Sequence, residues 1–382
     1  MNRIRIIADN KIPFLKGVLE PVADVAYLPG REISSDLVKD ADALIIRTRT
    51  RCNASLLKGS KVRFIASATI GYDHIDTDYC KANGIEWTNA PGCNSSSVEQ
   101  YIVSALLYIG RKRKMKLSGK TLGVVGVGYV GTKVSRIGEL LGMRVLKNDP
   151  PRARKEGRQE FLTLNDVLEE SDIVTLHVPL HRTGPDKTHE LVNAHFIASM
   201  KEGAILINSS RGEVLDEDAV KEAVSSGHLK DIILDVYCNE PEIDRELLEL
   251  STMATPHIAG YSSDGKANGT MMAVRAVSRF FSLGLDIWKP ENIPDPETSA
   301  LYLDASGADL QDVLWTLYSQ TYDISLDHEN LKKQAESFEK LRETYRVRRE
   351  PGAYTVKVFN GDSSLNHVLE GLGFTVIGDS CF

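Results

Sequence analysis

The chain has 382 residues, of which 42% are hydrophobic and 26% charged, with a formal net charge of −7. That length exceeds one comfortable core and predicts two or three well-buried domains of ordinary globular composition, while the acidic balance excludes a nucleic-acid surface spread over the whole molecule. No apolar run approaches the ~18 residues that span a bilayer, and the opening MNRIRIIADNKIP lacks the apolar core of a signal peptide, so a cytoplasmic protein that binds neither membrane nor nucleic acid is expected.

In chain order, IRIIA, VADVAYL, ADALIIRT, VRFIASAT and IEWTN read as short strands separated by helical stretches, which predicts an open parallel α/β sheet. A long helix, SSVEQYIVSALLYIGRKRKMK, follows. From residue 121 the alternation restarts with TLGVVGV, MRVLKND, DIVTLHV, AILINSS, DIILDV and a short TMATP, six strands that fit a doubly wound nucleotide domain. A second long helix, 262–284, closes this stretch. Two long helices bracketing the nucleotide domain suggest that it is inserted into the first domain, which places the natural active site in a cleft between them. The proline-rich WKPENIPDPETSA reads as a linker. Beyond it, strand YLDA, helix LQDVLWTLYSQ, a charged helix ENLKKQAESFEKLRETY, strand YTVKVF, helix SLNHVLEGL and strand FTVIG form a small α+β domain with nothing catalytic in it. The expected architecture is therefore two doubly wound, Rossmann-like parallel-sheet domains plus a small C-terminal α+β domain. The boundaries are 1–97 with 266–288, 98–265, and 289–382.

Cys52, Cys80, Cys93, Cys238 and Cys381 are odd in number, scattered and without a CxxC pair, so neither a disulfide nor a metal site is expected. His177 and His181 lie four apart, but Pro179 between them breaks the helix that would align them as ligands.

The chemistry begins at GVGYVG. Gly126 turns the chain tightly out of its strand, Gly128 lets backbone approach a pyrophosphate, and Gly131 packs helix on strand, while the amides of Tyr129 and Val130 open the helix toward phosphate. Asp149 closes the next strand, where it can accept from adenosine ribose hydroxyls and repel a 2′-phosphate, favouring NAD over NADP. Arg152 pulls the other way, unless it is only a solvated charge in PPRARKEGR. Arg211 in INSSRGEV, Glu240 in NEP and His257 in PHIAGY follow the fourth, fifth and sixth strands of the nucleotide domain, so all three can converge on one mouth. Upstream, IIRTRTR puts Arg47, Arg49 and Arg51 on one strand face, either as phosphate donors or as a solvated edge.

GVGYVG, the Asp149 strand end, NSSRGEV, NEP and PHIAG, in this order and spacing, resemble the D-2-hydroxyacid dehydrogenases over residues 1 to about 285. The resemblance implies NAD-linked oxidation of a small 2-hydroxy acid, here a phosphorylated one, and a C-terminal domain that mediates homodimerisation. His257 would take the hydroxyl proton, with Glu240 fixing its tautomer and Arg211 gripping the substrate carboxylate. Ser209, Ser210, Arg211, Asp235 and Gly260 would join the glycine loop in holding the cofactor, and Thr48, Thr69 and Tyr261 would touch the substrate. Relatives often carry Thr at position 178, and Val178 departs from that pattern.

Overall fold

The computed structural model describes residues 3–157 and 159–377, so Cys381 lies outside it. The chain divides into two compact units, one made of Met1–Asn94 with Ser262–Pro294 and the other of Ser95–Tyr261 with Asp295–Phe382.

In the first unit, β1 (Arg5–Asp9), β2 (Asp24–Leu28), β3 (Ala43–Ile46), β4 (Phe64–Ser67) and β5 (Glu86–Thr88) form one parallel sheet ordered β2-β1-β3-β4-β5. β3 and β4 are buried along their whole length, the pattern of parallel strands covered on both faces. Helix Ser263–Phe281 returns to this sheet: Ala273, Val274 and Val277 join Ile6, Ile45 and Phe64 in one core, and Phe280 stacks on Phe64 at 4.6 Å. The structure corrects the arginine face. β3 stops at Ile46, and the chain turns at Thr48, where the Thr50 amide closes onto the Arg47 carbonyl and the Thr50 hydroxyl bonds the Gly30 carbonyl at 2.9 Å. Arg47, Arg49 and Arg51 therefore share no strand face, and Arg47 pairs at 3.1 Å with the wholly buried carboxylate of Asp9, a charge that burial would leave costly without a partner.

The second unit opens with helix Ser95–Arg113. Then β6 (Thr121–Val125), β7 (Arg144–Asn148), β8 (Ile173–Leu176), β9 (Ala204–Asn208), β10 (Leu229–Leu234) and β11 (Met253–Ala254) build a parallel sheet ordered β11-β10-β9-β8-β6-β7. The order reverses between β6 and β8, and the carboxyl ends of strands at such a switch point open a crevice. His177, just after β8, is half-buried beside Thr175, and desolvation pushes its imidazole down to about 3.

The C-terminal stretch adds β12 (Ala300–Asp304), β13 (Thr355–Phe359) and β14 (Thr375–Ile377), three parallel strands with helices between them. It packs within the second unit: Gln311 bonds the Met115 carbonyl and the Leu117 amide, and Nδ1 of His328 accepts from the Ala254 amide on β11. The single charged helix expected over 329–345 is two. Helix Ile324–Lys333 starts early, capped by Asp323, and ends at Gln334; a short 3-10 turn and helix Phe338–Glu343 follow. Burial overrides the helical pattern here, because the break lets Leu331, Ala335 and Phe338 enter the core, with Phe338 edge-on to Tyr237 at 6.0 Å. Among the described residues no helix is long and apolar enough to cross a membrane.

A Cβ on Gly131 would lie 1.9 Å from the Gly126 carbonyl oxygen, so helix and strand must part to admit it. Gly131→Ala is expected to lower unfolding free energy by about 2 kcal/mol; a denaturant titration showing no loss would contradict this packing.

Candidate active site

The chain leaves β6 through Gly126 at φ +86°, a left-handed turn in which any Cβ would meet the His177 carbonyl at 2.6 Å. Helix Tyr129–Leu140 then starts after Gly128. A Cβ on Gly128 would meet nothing within 4 Å, so open space lies beside the first-turn amides, which have no partner within their own helix. Asp149 braces this loop, accepting from the Val127 amide at 2.8 Å and the Arg152 amide at 2.9 Å. Both oxygens keep lone pairs for ribose hydroxyls. Arg152 is not the solvated charge of the bland reading: it donates to the Val127 carbonyl at 2.6 Å, pairs with Glu156 and lies over Phe161. A guanidinium pinned in three directions serves the loop's shape.

After β9, the buried Asn208 side chain accepts from the amide and hydroxyl of Ser210 and donates to the Arg211 carbonyl. Gly212 is pressed so close that a Cβ would lie 1.9 Å from the Tyr237 carbonyl carbon, which fixes the Arg211 turn against the strand end carrying Glu240. The Ser209 hydroxyl is buried with no protein partner. That orphan group, the open side of Gly128 and the Asp149 acceptor fit a bound dinucleotide.

Asp235 organises the opposite wall. Buried at 1% exposure, it accepts from the amides of Ile258 and Ala259, each at 2.8 Å, and from the Thr255 hydroxyl at 2.7 Å, while Thr255 accepts from the Tyr101 hydroxyl at 2.9 Å. Burial pushes the Asp235 carboxyl up to about 6, against the pull of His257 and its three donors. This clamp folds the loop so that His257 adopts φ +55°, a conformation disfavoured for a residue with a side chain and maintained only where surroundings over-determine it.

His257 then donates from Nδ1 to Glu240 Oε2 at 2.7 Å, which leaves Nε2 as the basic nitrogen. Glu240 Oε1 accepts from the Tyr237 amide at 3.1 Å. Burial alone would raise the Glu240 carboxyl, but the His257 charge and hydrogen bond, the Arg342 guanidinium and the Tyr237 amide together hold it below the ordinary value. Arg211, Glu240 and His257 line one cavity of about 500 Å³, with Arg182, His189 and Glu213 at its polar wall. Cys238 lines it too, but burial pushes its thiol up to about 12 and leaves it unreactive.

Tyr261 and Gly260 follow His257 in the second unit, the Tyr261 amide closing the turn on the Ile258 carbonyl at 2.9 Å. In the first unit Thr48 is exposed in the turn beyond β3, and Thr69, beyond β4, bonds Ser67 at 2.8 Å and the Gly71 carbonyl at 3.1 Å. Both sit at carboxyl ends of adjacent strands. Val178 packs beside Gly126. Sequence reasoning missed the Asp235 clamp and the part played by the C-terminal stretch, where the Arg348 guanidinium donates to the Ala259 carbonyl at 2.6 Å. No motif marks either.

The profile of the D-isomer specific 2-hydroxyacid dehydrogenase NAD binding domain matches residues 106–259, and that of a domain of unknown function, DUF3410, matches residues 293–373. A D-lactate dehydrogenase of Aquifex aeolicus, solved with NAD and lactic acid, superposes with a TM-score of 0.63 at 27% identity, covering 74% of this chain and 96% of that one. Erythronate-4-phosphate dehydrogenases of Bacteroides fragilis and Hahella chejuensis are 49% and 38% identical, over 93% and 98% of this chain and 99% of each relative. The chain belongs to the D-2-hydroxyacid dehydrogenase family, in its erythronate-4-phosphate dehydrogenase branch, and is an NAD-dependent dehydrogenase.

Glu240→Gln keeps the shape but removes the charge that favours an imidazolium. It is expected to lower kcat roughly 10- to 100-fold with NAD affinity unchanged; equal turnover in steady-state assays would remove Glu240 from the acid/base pair.

Proposed function

We propose that the chain oxidises 4-phospho-D-erythronate at C2 to (R)-3-hydroxy-2-oxo-4-phosphooxybutanoate, a step that feeds pyridoxine 5′-phosphate (vitamin B6) synthesis. The observation that carries this reading is one cavity lined by Arg211, Glu240 and His257 in a chain 49% identical to erythronate-4-phosphate dehydrogenases. When bound, NAD supplies the acceptor for the C2 hydride. His257 Nε2 takes the proton of the C2 hydroxyl, and Glu240 stabilises the imidazolium so formed. The planar Arg211 guanidinium grips the substrate carboxylate at two points and polarises the C2 oxygen as it becomes a carbonyl. Gly126, Gly128, Gly131 and the amides of Tyr129 and Val130 would hold the pyrophosphate, Asp149 the adenosine ribose, and Ser209, Ser210, Asp235 and Gly260 the rest of the dinucleotide. Asp235, 1% exposed and bonded to three protein donors, would serve the nicotinamide side of the site by holding the backbone of Ile258 and Ala259 in place. Thr48, Thr69 and Tyr261 bind the substrate, and Arg49 and Arg51, next to Thr48 in sequence, supply charge suited to its phosphate.

The same reading makes the enzyme a cytoplasmic homodimer. Scattered cysteines without a CxxC pair suit a reducing compartment. On the C-terminal sheet, Tyr302 is 68% and Ile377 46% exposed, and Tyr302 stacks with Phe359 at 6.4 Å, an apolar face suited to a second copy.

Two measurements test these statements. NADH formation from 4-phospho-D-erythronate should exceed that from 3-phosphoglycerate in kcat/KM, and His257→Ala should lower turnover by about 10²-fold while NAD still binds; a preference for phosphoglycerate, or near-normal kcat in the variant, would refute the corresponding claim. Light scattering should report a dimer that Tyr302→Glu converts to monomer, and a monomeric wild-type protein would end the assembly proposal.

A further inference from the structure

The C-terminal stretch reaches the catalytic loop through three side chains of the second unit. Arg348, 2% exposed, bonds the Ala259 carbonyl and the Ser97 hydroxyl and lies over Tyr322. Tyr345 meets the Tyr261 ring edge-on at 6.1 Å. Arg342 places its guanidinium carbon 5.4 Å from the centre of the Tyr261 ring and 5.9 Å from that of Phe338. Arg348 fastens the loop backbone directly, and Tyr345 packs on its ring. Arg342 is not explained by packing alone. Its side chain is 15% exposed, its ion pair is with Glu339, three residues back on the same short helix at 3.2 Å, and its Nε is buried with no protein partner. Desolvating such a cation is costly unless other charges offset it. The further acidic charges that reach Arg342 are Glu240 and Asp235, the two carboxylates that hold His257 and its loop.

We propose that Arg342 is a positioning residue of the active site: its buried guanidinium lies on the Tyr261 ring, at the end of the loop that carries His257, and holds a fixed positive charge within electrostatic reach of the Glu240 and Asp235 carboxylates. This rests on the assignment of Glu240 and His257 as the acid/base pair. Around Glu240 stand His257, Arg342 and Tyr237, whose phenol feels both Glu240 and Asp235, with Arg211 in the same cavity. Of the two cations that lower the Glu240 carboxyl, the imidazole is neutral in the state that accepts the substrate proton, while a guanidinium stays charged at every working pH. With His257 neutral, its Nδ1–H bond and the Tyr237 amide still favour ionised Glu240, and Arg342 adds to them a positive charge that does not titrate away. This gives the domain of unknown function a part in catalysis within its own chain, separate from assembly.

The test compares pH profiles of kcat/KM for the full-length wild type, Arg342→Met, Arg342→Gln, Arg342→Lys and Arg346→Met. Arg346 is the control: it is also stacked, over Tyr322 and Tyr345, but pairs with Asp327 instead of facing Glu240. Losing the Arg342 charge raises the Glu240 carboxyl, so the acid limb of the Met and Gln variants should move up by about half a unit to one unit. Below the limb kcat/KM then falls roughly 3- to 10-fold, converging on wild type at alkaline pH. Arg342→Lys, which keeps the charge and loses the planar stacking, should hold the limb in place. Unmoved limbs in both neutral variants, or an equal shift in Arg346→Met, would overturn the proposal. Should the neutral variants fail to fold, a displaced limb in Arg342→Lys overturns it and an unmoved one supports it. Absence of wild-type turnover would instead strike the assigned function.

Discussion

The Asp235 carboxylate is the constraint on which the site depends. It is buried, pushed up to about 6, and offers its oxygens to two successive amides and a hydroxyl on the loop after β11. Only with those amides drawn inward does the chain pass through the left-handed turn that presents His257 to Glu240. A buried anion held by neutral donors alone would be costly. Here the cost is partly offset by the charge of His257, with Arg342 of the C-terminal stretch within electrostatic reach. Loop geometry and charge balance are one problem with one solution.

Much of this was legible because it obeys local rules. Buried parallel strands such as β3, β4, β6, β8 and β9 read as apolar runs, and each of the eleven strands of the first two sheets overlaps one of the runs IRIIA through TMATP. The glycine loop was legible because each glycine meets a separate steric demand: a positive φ at 126, open space at 128 and close packing at 131. Arg211, Glu240 and His257 were legible from position, since each follows a parallel strand at the end where such sheets bind ligands.

What escaped depended on partners far along the chain. The Arg47 alternation could not reveal the turn that ends β3, because that turn is fastened by the Gly30 carbonyl and the Asp9 carboxylate on another strand's loop. The break at Gln334 answers a ring, Tyr237, about a hundred residues away, while local pattern favoured an unbroken helix. Arg152 looked solvated because its run is charged, yet it closes on a carbonyl of the glycine loop. In each case a buried polar group or aromatic face set the outcome, and neither periodicity nor propensity encodes a long-range partner.

The two carboxylates near His257 also show why one imidazole needs both. Asp235 accepts from amides and a hydroxyl, groups that keep their character at any pH, and so it can act as a permanent brace. Glu240 contacts the titrating ring itself, so its own state follows the proton it helps to move unless something else fixes it. An amide from Tyr237 is too weak to do this alone against burial, which is the largest influence on that carboxyl. Beside the Nδ1–H bond from His257, a non-titrating cation adds to this, and the chain draws it from helix Phe338–Glu343 in the C-terminal stretch. The C-terminal stretch is thereby tied to the chemistry by electrostatics, whatever else its exposed sheet face binds.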